Sequence, residues 1–250
     1  MCSSDLSKTL QTFSAFFFFA VSASAAAFSS SPPRPDVIRE SLVGERRMGK
    51  SSLLWHLAQP EVHETALEDA DRYLFILLDF QGHQHLDQSA CCALLARRVA
   101  EQAGERLGRM VSDDGGLEEL LAIAAAVDAA GMRLVFLFDE FETVTRNAAI
   151  GPQFFGALRS LANVYAVAFV IASRRPLQSL CHSQEISESP FFNIFAEVHL
   201  GPMQPDEIHE LITVPSAAAG MPLAPHEPRT RSLAGNLPFF AQLPAPSPLS

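Results

Sequence analysis

Gly44-Glu45-Arg46-Arg47-Met48-Gly49-Lys50-Ser51-Ser52 is a G-x-x-x-x-G-K-S stretch, and its reading decides the fold. Glycines let the backbone wrap inward where side chains would clash. A backbone turned this way aims successive N–H groups at one point and makes an anion cradle. The helix expected from Ser51 adds its positive N-terminal end. Lys50 then reaches the β- and γ-phosphates of a nucleotide, and the Ser51 hydroxyl is a ligand for Mg²⁺. The whole run Gly44, Glu45, Arg46, Arg47, Met48, Gly49, Lys50, Ser51 and Ser52 is the candidate nucleotide-binding loop, with Arg46 and Arg47 either on phosphate or exposed.

A glycine-rich turn before any helix would satisfy the same pattern, so a second segment has to agree. Leu134-Val135-Phe136-Leu137-Phe138-Asp139-Glu140 reads as a buried strand ending in two carboxylates. Asp139 is placed to hold Mg²⁺ directly or through water. Glu140, one residue on, points elsewhere and is the candidate to orient and deprotonate an attacking water. Arg174 and Arg175 follow another apolar run, and one of them, Arg174 first, is a candidate to neutralise a γ-phosphate. The alternative for this pair is a surface ion pair. Glu142 is expected to be solvated. His83 and His85 form an H-x-H without further ligands at suitable spacing, so they are expected in an exposed loop. Phe191-Phe192 and Phe239-Phe240 are expected in the core. No N-K-x-D sequence marks a guanine site, which leaves adenine as the expected base.

Composition sets the outer limits. With 250 residues, 48% of them hydrophobic, the chain can bury one core of good size plus a small appendage. A net charge of −10 without a Lys/Arg-rich block argues against sequence-independent nucleic-acid binding. Cys2, Cys91, Cys92 and Cys181 contain no C-x-x-C pair, so neither a zinc site nor a disulfide framework is expected.

Along the chain, apolar runs at 37–43, 73–80, 134–140, 167–173 and 196–200 read as strands. Helical spacing at 88–107, 117–130, 154–161 and 204–212 fills the intervals, with a further helical patch near 233–243. Strands alternating with helices imply a parallel sheet covered on both faces, with ligand at the carboxyl ends of the strands. The loop, Asp79, Asp139-Glu140 and Ser173-Arg174 all fall at such ends. Residues 1–35 stand apart: Lys8, an apolar run at 13–21 and small residues at 22–27 imitate a signal peptide, but the run is too short to span a bilayer. Cys2-Ser3-Ser4-Asp5-Leu6 matches what one reading frame of a sequencing-adapter end encodes. The expectation is therefore a disordered or non-native 1–35, a nucleotide-binding core at 36–203, a partial helical lid at 204–243 and a tail at 244–250, in a cytoplasmic protein with no membrane span.

Together, Val43 to Leu54, Leu137-Phe138-Asp139-Glu140-Phe141-Glu142 and Ile171-Ala172-Ser173-Arg174-Arg175-Pro176-Leu177 resemble the STAND-type ATPases, AAA+-related signalling NTPases close to the archaeal-type ATPase group. The likeness covers roughly 41–243 and takes in Ser189-Pro190-Phe191-Phe192-Asn193. It implies an α/β, three-layer P-loop NTPase fold of the additional-strand class, with the fourth strand inserted between the loop strand and the Asp-Glu strand. It also implies the start of a helical lid, in which Gly235-Asn236-Leu237-Pro238 resembles the G-x-P element and Pro238 packs near adenine. The functional implication is a switch, closed with ADP and open with ATP, that self-associates and resets by slow hydrolysis. Two departures stand out: the segment that usually contacts the base is replaced by the low-complexity start, and the chain stops inside the lid. It is therefore expected to be a fragment lacking sensor and effector modules. The expected function is a Mg-ATP switch domain using ATP/ADP and Mg²⁺. The rivals are a DNA-associated ATPase and a scaffold that binds nucleotide without turnover.

Overall fold

A computed structural model describes residues 39–107, 116–165, 167–218, 232 and 237–238. Five strands form one parallel sheet: β1 (Arg39–Val43), β2 (Tyr73–Asp79), β3 (Arg133–Asp139), β4 (Val167–Ser173) and β5 (Ala196–His199), in the order β2-β3-β4-β1-β5. β4 thus lies between β1 and β3, as the resemblance implied. β2, β3 and β4 read as continuous apolar runs because a parallel strand is covered on both faces.

The period of two divides their side chains cleanly. Leu74, Ile76, Leu78, Leu134, Phe136, Phe138, Phe169 and Ile171 enter one apolar cluster. Tyr73, Phe75, Val135, Leu137, Ala168, Val170 and Ala172 enter the other. The first cluster is roofed by α3 (Gln88–Ala103), α4 (Gly116–Ala129) and α6 (Pro152–Val164). The second is roofed by α1 (Lys50–Leu57) and α2 (Pro60–Ala66). The short helices α5 (Glu142–Thr145) and α7 (Gln184–Ser187) lie in the connections, and α8 (Pro205–Ala218) follows β5.

Local signals explain the ends. Asp87 caps α3 by accepting from the Ala90 N–H at 2.8 Å. Gly131 takes a φ of 70° just after α4, and the N–H groups of Gly131 and Met132 donate to the carbonyls of Asp128 and Val127.

Several details differ from the sequence reading. α2 has no apolar periodicity to announce it. α8 runs on to Ala218, through Pro215, rather than stopping at Ile212. Phe191 and Phe192 are core residues, as expected, whereas Phe239, Phe240, Gly235, residues 1–35 and residues 244–250 lie outside the described residues. Cys91, Cys92 and Cys181 are free, and burial pushes their thiols up to about 12, 11 and 11, so none is a ready nucleophile. Among the described residues, no helix is long and apolar enough to cross a membrane.

Candidate functional site

The sheet register lines up the strand ends that carry the polar residues. Val43 pairs with Ser173 on one side and His199 on the other, and Asp79 pairs with Asp139. The loop that leaves β1 therefore starts between two strand ends. The Gly44 N–H donates to the Ser173 carbonyl at 3.2 Å, and the Leu200 N–H donates to the Val43 carbonyl at 2.7 Å. A Cβ at Gly44 would lie 2.7 Å from the Leu200 carbonyl oxygen, so only glycine fits where the two chains pass.

Beyond Gly44 the loop turns through two left-handed residues, Arg47 with φ 69° and Gly49 with φ 87°. Glu45, Arg46 and Arg47 are exposed. Gly49 is the N-cap of α1, and among the described residues no side chain caps that helix, so its first-turn N–H groups are left for another acceptor. Lys50 is buried, and its ammonium donates to the carbonyls of Gly44 at 2.6 Å and Glu45 at 2.9 Å. Burial lowers the Lys50 pKa, opposed by the negative charge of Glu142, Asp139 and Glu140.

The second half of the site comes from the end of β3. Asp139 is buried, which raises its pKa, while hydrogen bonds from Ser51 and from the Glu140 N–H, the latter at 2.9 Å, work the other way. Ser51 and Asp139, far apart in sequence, thus touch. Glu140 adopts a left-handed φ of 49°, costly for a residue with a Cβ. Phe141 then begins a helical turn with φ −62° and ψ −18°. Its ring is fully buried, stacks on Phe138 at 5.4 Å, and pins the turn to the core.

That turn corrects the expectation for Glu142. Instead of being solvated, Glu142 is 3% exposed and accepts a hydrogen bond from Arg174 Nε at 2.9 Å. Arg174 also lies against Glu140, with Nη2 3.6 Å from its carboxylate. Arg175 is exposed, and its carbonyl accepts from the Ser173 hydroxyl. The structure therefore separates the two arginines: Arg174 lies at the carboxylates and Arg175 is exposed. The clue to Glu142 was Phe141: an apolar residue between two acids indicates a buried turn rather than a solvated run.

A cavity of about 580 Å³ opens at this edge. One wall carries Lys50, Ser51 and Glu140; the other carries Val198, Leu200, Met203, Leu211 and Pro238. Asp139 and Arg174 are not on these walls but touch Ser51 and Glu140, which are. A hydroxyl beside a carboxylate is a donor set suited to a hard cation, and a lysine amid uncapped N–H groups suits phosphate. The residues present fit a magnesium nucleotide. His83 and His85 stand apart in a loop, their rings 6.5 Å from each other.

The fold is shared with solved structures, one of them a Walker-type ATPase. The ORC2 protein of Aeropyrum pernix in its ADP form is similar with a TM-score of 0.64 at 12% identity, over 91% of this chain and 59% of that one. The Walker-type ATPase of Pyrococcus abyssi is similar with a TM-score of 0.61 at 15% identity, over 90% of this chain and 64% of that one. The Aeropyrum pernix ORC1 protein in complex with DNA is similar with a TM-score of 0.52 at 12% identity, over 94% and 60%. The chain thus spans less than two thirds of the length of each. A comparison with curated proteins gives no match. The profile of the novel STAND NTPase 2 family matches residues 33–247, which takes in all of the described residues. With that match, the five-stranded order and the loop before α1, the chain belongs to the novel STAND NTPase 2 family.

Proposed function

We propose that this chain is the Mg-ATP-binding, slowly hydrolysing switch domain of a regulatory STAND-type ATPase. The observation that carries the reading is the contact of Ser51 with Asp139 beside Lys50 and Glu140, at the mouth of one cavity. In this reading Lys50 exchanges its hydrogen bonds to the Gly44 and Glu45 carbonyls for the β- and γ-phosphates. Ser51 and Asp139 hold Mg²⁺, and Glu45, Arg46, Arg47, Met48, Gly49 and Ser52 complete the loop around the phosphates. Bound there, Mg²⁺ would supply neutralisation of charge on the transferring phosphoryl group. Glu140 orients a water and takes its proton, and Arg174 balances the charge that develops on the γ-phosphate. The apolar wall with Pro238 receives the adenine. A core over 36–203, a lid over 204–243, nucleotide-dependent self-association and a cytoplasmic location belong to the same proposal.

Calorimetry and a hydrolysis assay test it. Lys50→Ala is expected to weaken Mg-ATP binding at least tenfold by removing the charge paired with phosphate. Glu140→Gln is expected to keep binding and stop turnover, whereas Asp139→Asn is expected mainly to impair use of Mg²⁺. Equal ATP affinity in the parent and Lys50→Ala chains would overturn the assignment.

A second reading, a DNA-associated ATPase, draws on the fold shared with the DNA-bound ORC1 protein. The net charge of −10 opposes it. DNA binding by this chain that weakens steeply with salt would favour it.

A further inference from the structure

Glu142 is a buried carboxylate that the reading above leaves without a task. Burying a charge costs several kcal/mol unless it is paired, and a surface ion pair would hold Arg174 more cheaply. Here the Glu142 side chain is 4% exposed, while that of Arg174 is 32% exposed. The pair is thus asymmetric: its anion is fixed inside the fold and its cation reaches outward. One carboxylate oxygen, Oε1, accepts from Arg174 Nε; the other, Oε2, is buried with no hydrogen-bond partner among the described residues.

The backbone shows how Glu142 arrives there. Side chains two residues apart share a face in a strand and lie on nearly opposite sides of a helix. The left-handed φ at Glu140, followed by the helical turn at Phe141, bends the chain so that both acids reach one guanidinium. A guanidinium is a rigid planar fork, so fixing its Nε edge fixes the direction of its remaining donors. Lys50, the other cation of the site, is also within the field of Glu142.

We infer that Glu142 is a positioning residue: by holding Arg174 through Nε it sets the direction of the guanidinium beside Glu140, and so gives the site its preference for nucleoside triphosphate over diphosphate. Glu142 is not on the cavity walls and acts on the γ-phosphate position through Arg174. The inference rests on the nucleotide reading.

The test titrates the full chain by calorimetry with Mg-ADP and with a non-hydrolysable Mg-ATP analogue. Glu142→Gln keeps the shape and an acceptor but removes the charge. It is expected to narrow the triphosphate-to-diphosphate affinity ratio by about tenfold while leaving ADP affinity within about twofold. Arg174→Ala is expected to narrow it similarly, and the double variant no further, because both act through one contact. A residue acting only on stability would give additive losses and no change in the ratio. Glu142→Asp, which keeps the charge and withdraws it by one methylene, serves if the Gln chain does not fold; it is expected to narrow the ratio less. An unchanged ratio, a parallel loss of both affinities, or additivity in the double variant would overturn the inference while the nucleotide reading stood. A parent chain binding neither nucleotide would overturn the reading and the inference together.

Discussion

The two faces of the sheet are built differently, and each carries one half of the candidate site. On the α3, α4 and α6 side, Phe80, Phe136, Phe138, Phe141, Phe154, Phe155, Phe169 and Phe191 interlock in stacked and edge-to-face pairs, all of them fully buried. On the α1 and α2 side the cluster is smaller and largely aliphatic, with Leu42, Leu53, Leu54 and Leu57 at its centre and a buried histidine, His63, stacked on Phe75. The Asp139–Glu142 turn is anchored in the aromatic face through Phe141; the phosphate loop and α1 rest on the aliphatic one. The carboxylates are therefore held by the stiffer half, and the candidate nucleotide-binding loop by the half with less packing behind it.

Truncation should expose that difference most. Phe141→Ala removes the ring that pins the carboxylate turn and is expected to cost about 3–5 kcal/mol by chemical denaturation, with loss of any turnover. A cost below about 1 kcal/mol would show that the turn holds itself and would dissolve the contrast. Leu57→Ala, under the loop helix, is expected at the low end for a buried leucine, about 2–3 kcal/mol, because the smaller cluster can close over the gap. A larger cost than for Phe141 would reverse the ranking of the faces.

Two smaller effects depend on pH. The Asp139 pKa is raised in the fold, chiefly by burial, so keeping the group ionised opposes folding. That cost is absent below the ordinary value of 3.8, grows as pH rises through the window up to the folded pKa, and is constant above it. Asp139→Asn is thus expected to raise the melting temperature of the nucleotide-free chain at pH 7, with the gain shrinking as pH falls toward 4. A gain that persists unchanged in acid would have another cause. The His63 pKa is lowered from 6.5 by burial, so the unfolded chain takes up its proton first as pH falls. The aliphatic face is expected to lose stability as pH drops through 6.5, read as amide exchange in α2 rising before exchange in α3. Simultaneous loss on both faces would remove the distinction.

Much of this was legible in sequence because parallel strands announce themselves. The runs at β2, β3 and β4 are apolar on both faces, and the glycine loop before α1, which an ordinary turn would also satisfy, gained its reading from the strand that ends in Asp139-Glu140. β1 was harder, since Arg39, Glu40 and Ser41 interrupt it. Arg39 is accommodated by reaching out to the Ala162 carbonyl at 3.0 Å and the Asn163 side chain at 3.3 Å. Glu142 was misjudged because exposure of a carboxylate is the default, and only the left-handed turn at Glu140 brings it inward to a cation distant in sequence. α2 was missed because Pro-Glu-Val-His-Glu-Thr-Ala shows no apolar stripe; its one buried residue, His63, is held by Phe75 and the Leu57 carbonyl.

The only tryptophan in the chain, Trp55, lies on α1 one turn beyond Ser51 and is 61% exposed. Indole emission from this protein is consequently emission from the helix that follows the phosphate loop, with no second fluorophore of its kind to dilute it. A wavelength shift or a change in collisional quenching on adding nucleotide would register a change around that helix in real time. The molecule thus carries an optical reporter beside its candidate site, and stopped-flow mixing can follow it without dye, tag or engineered residue.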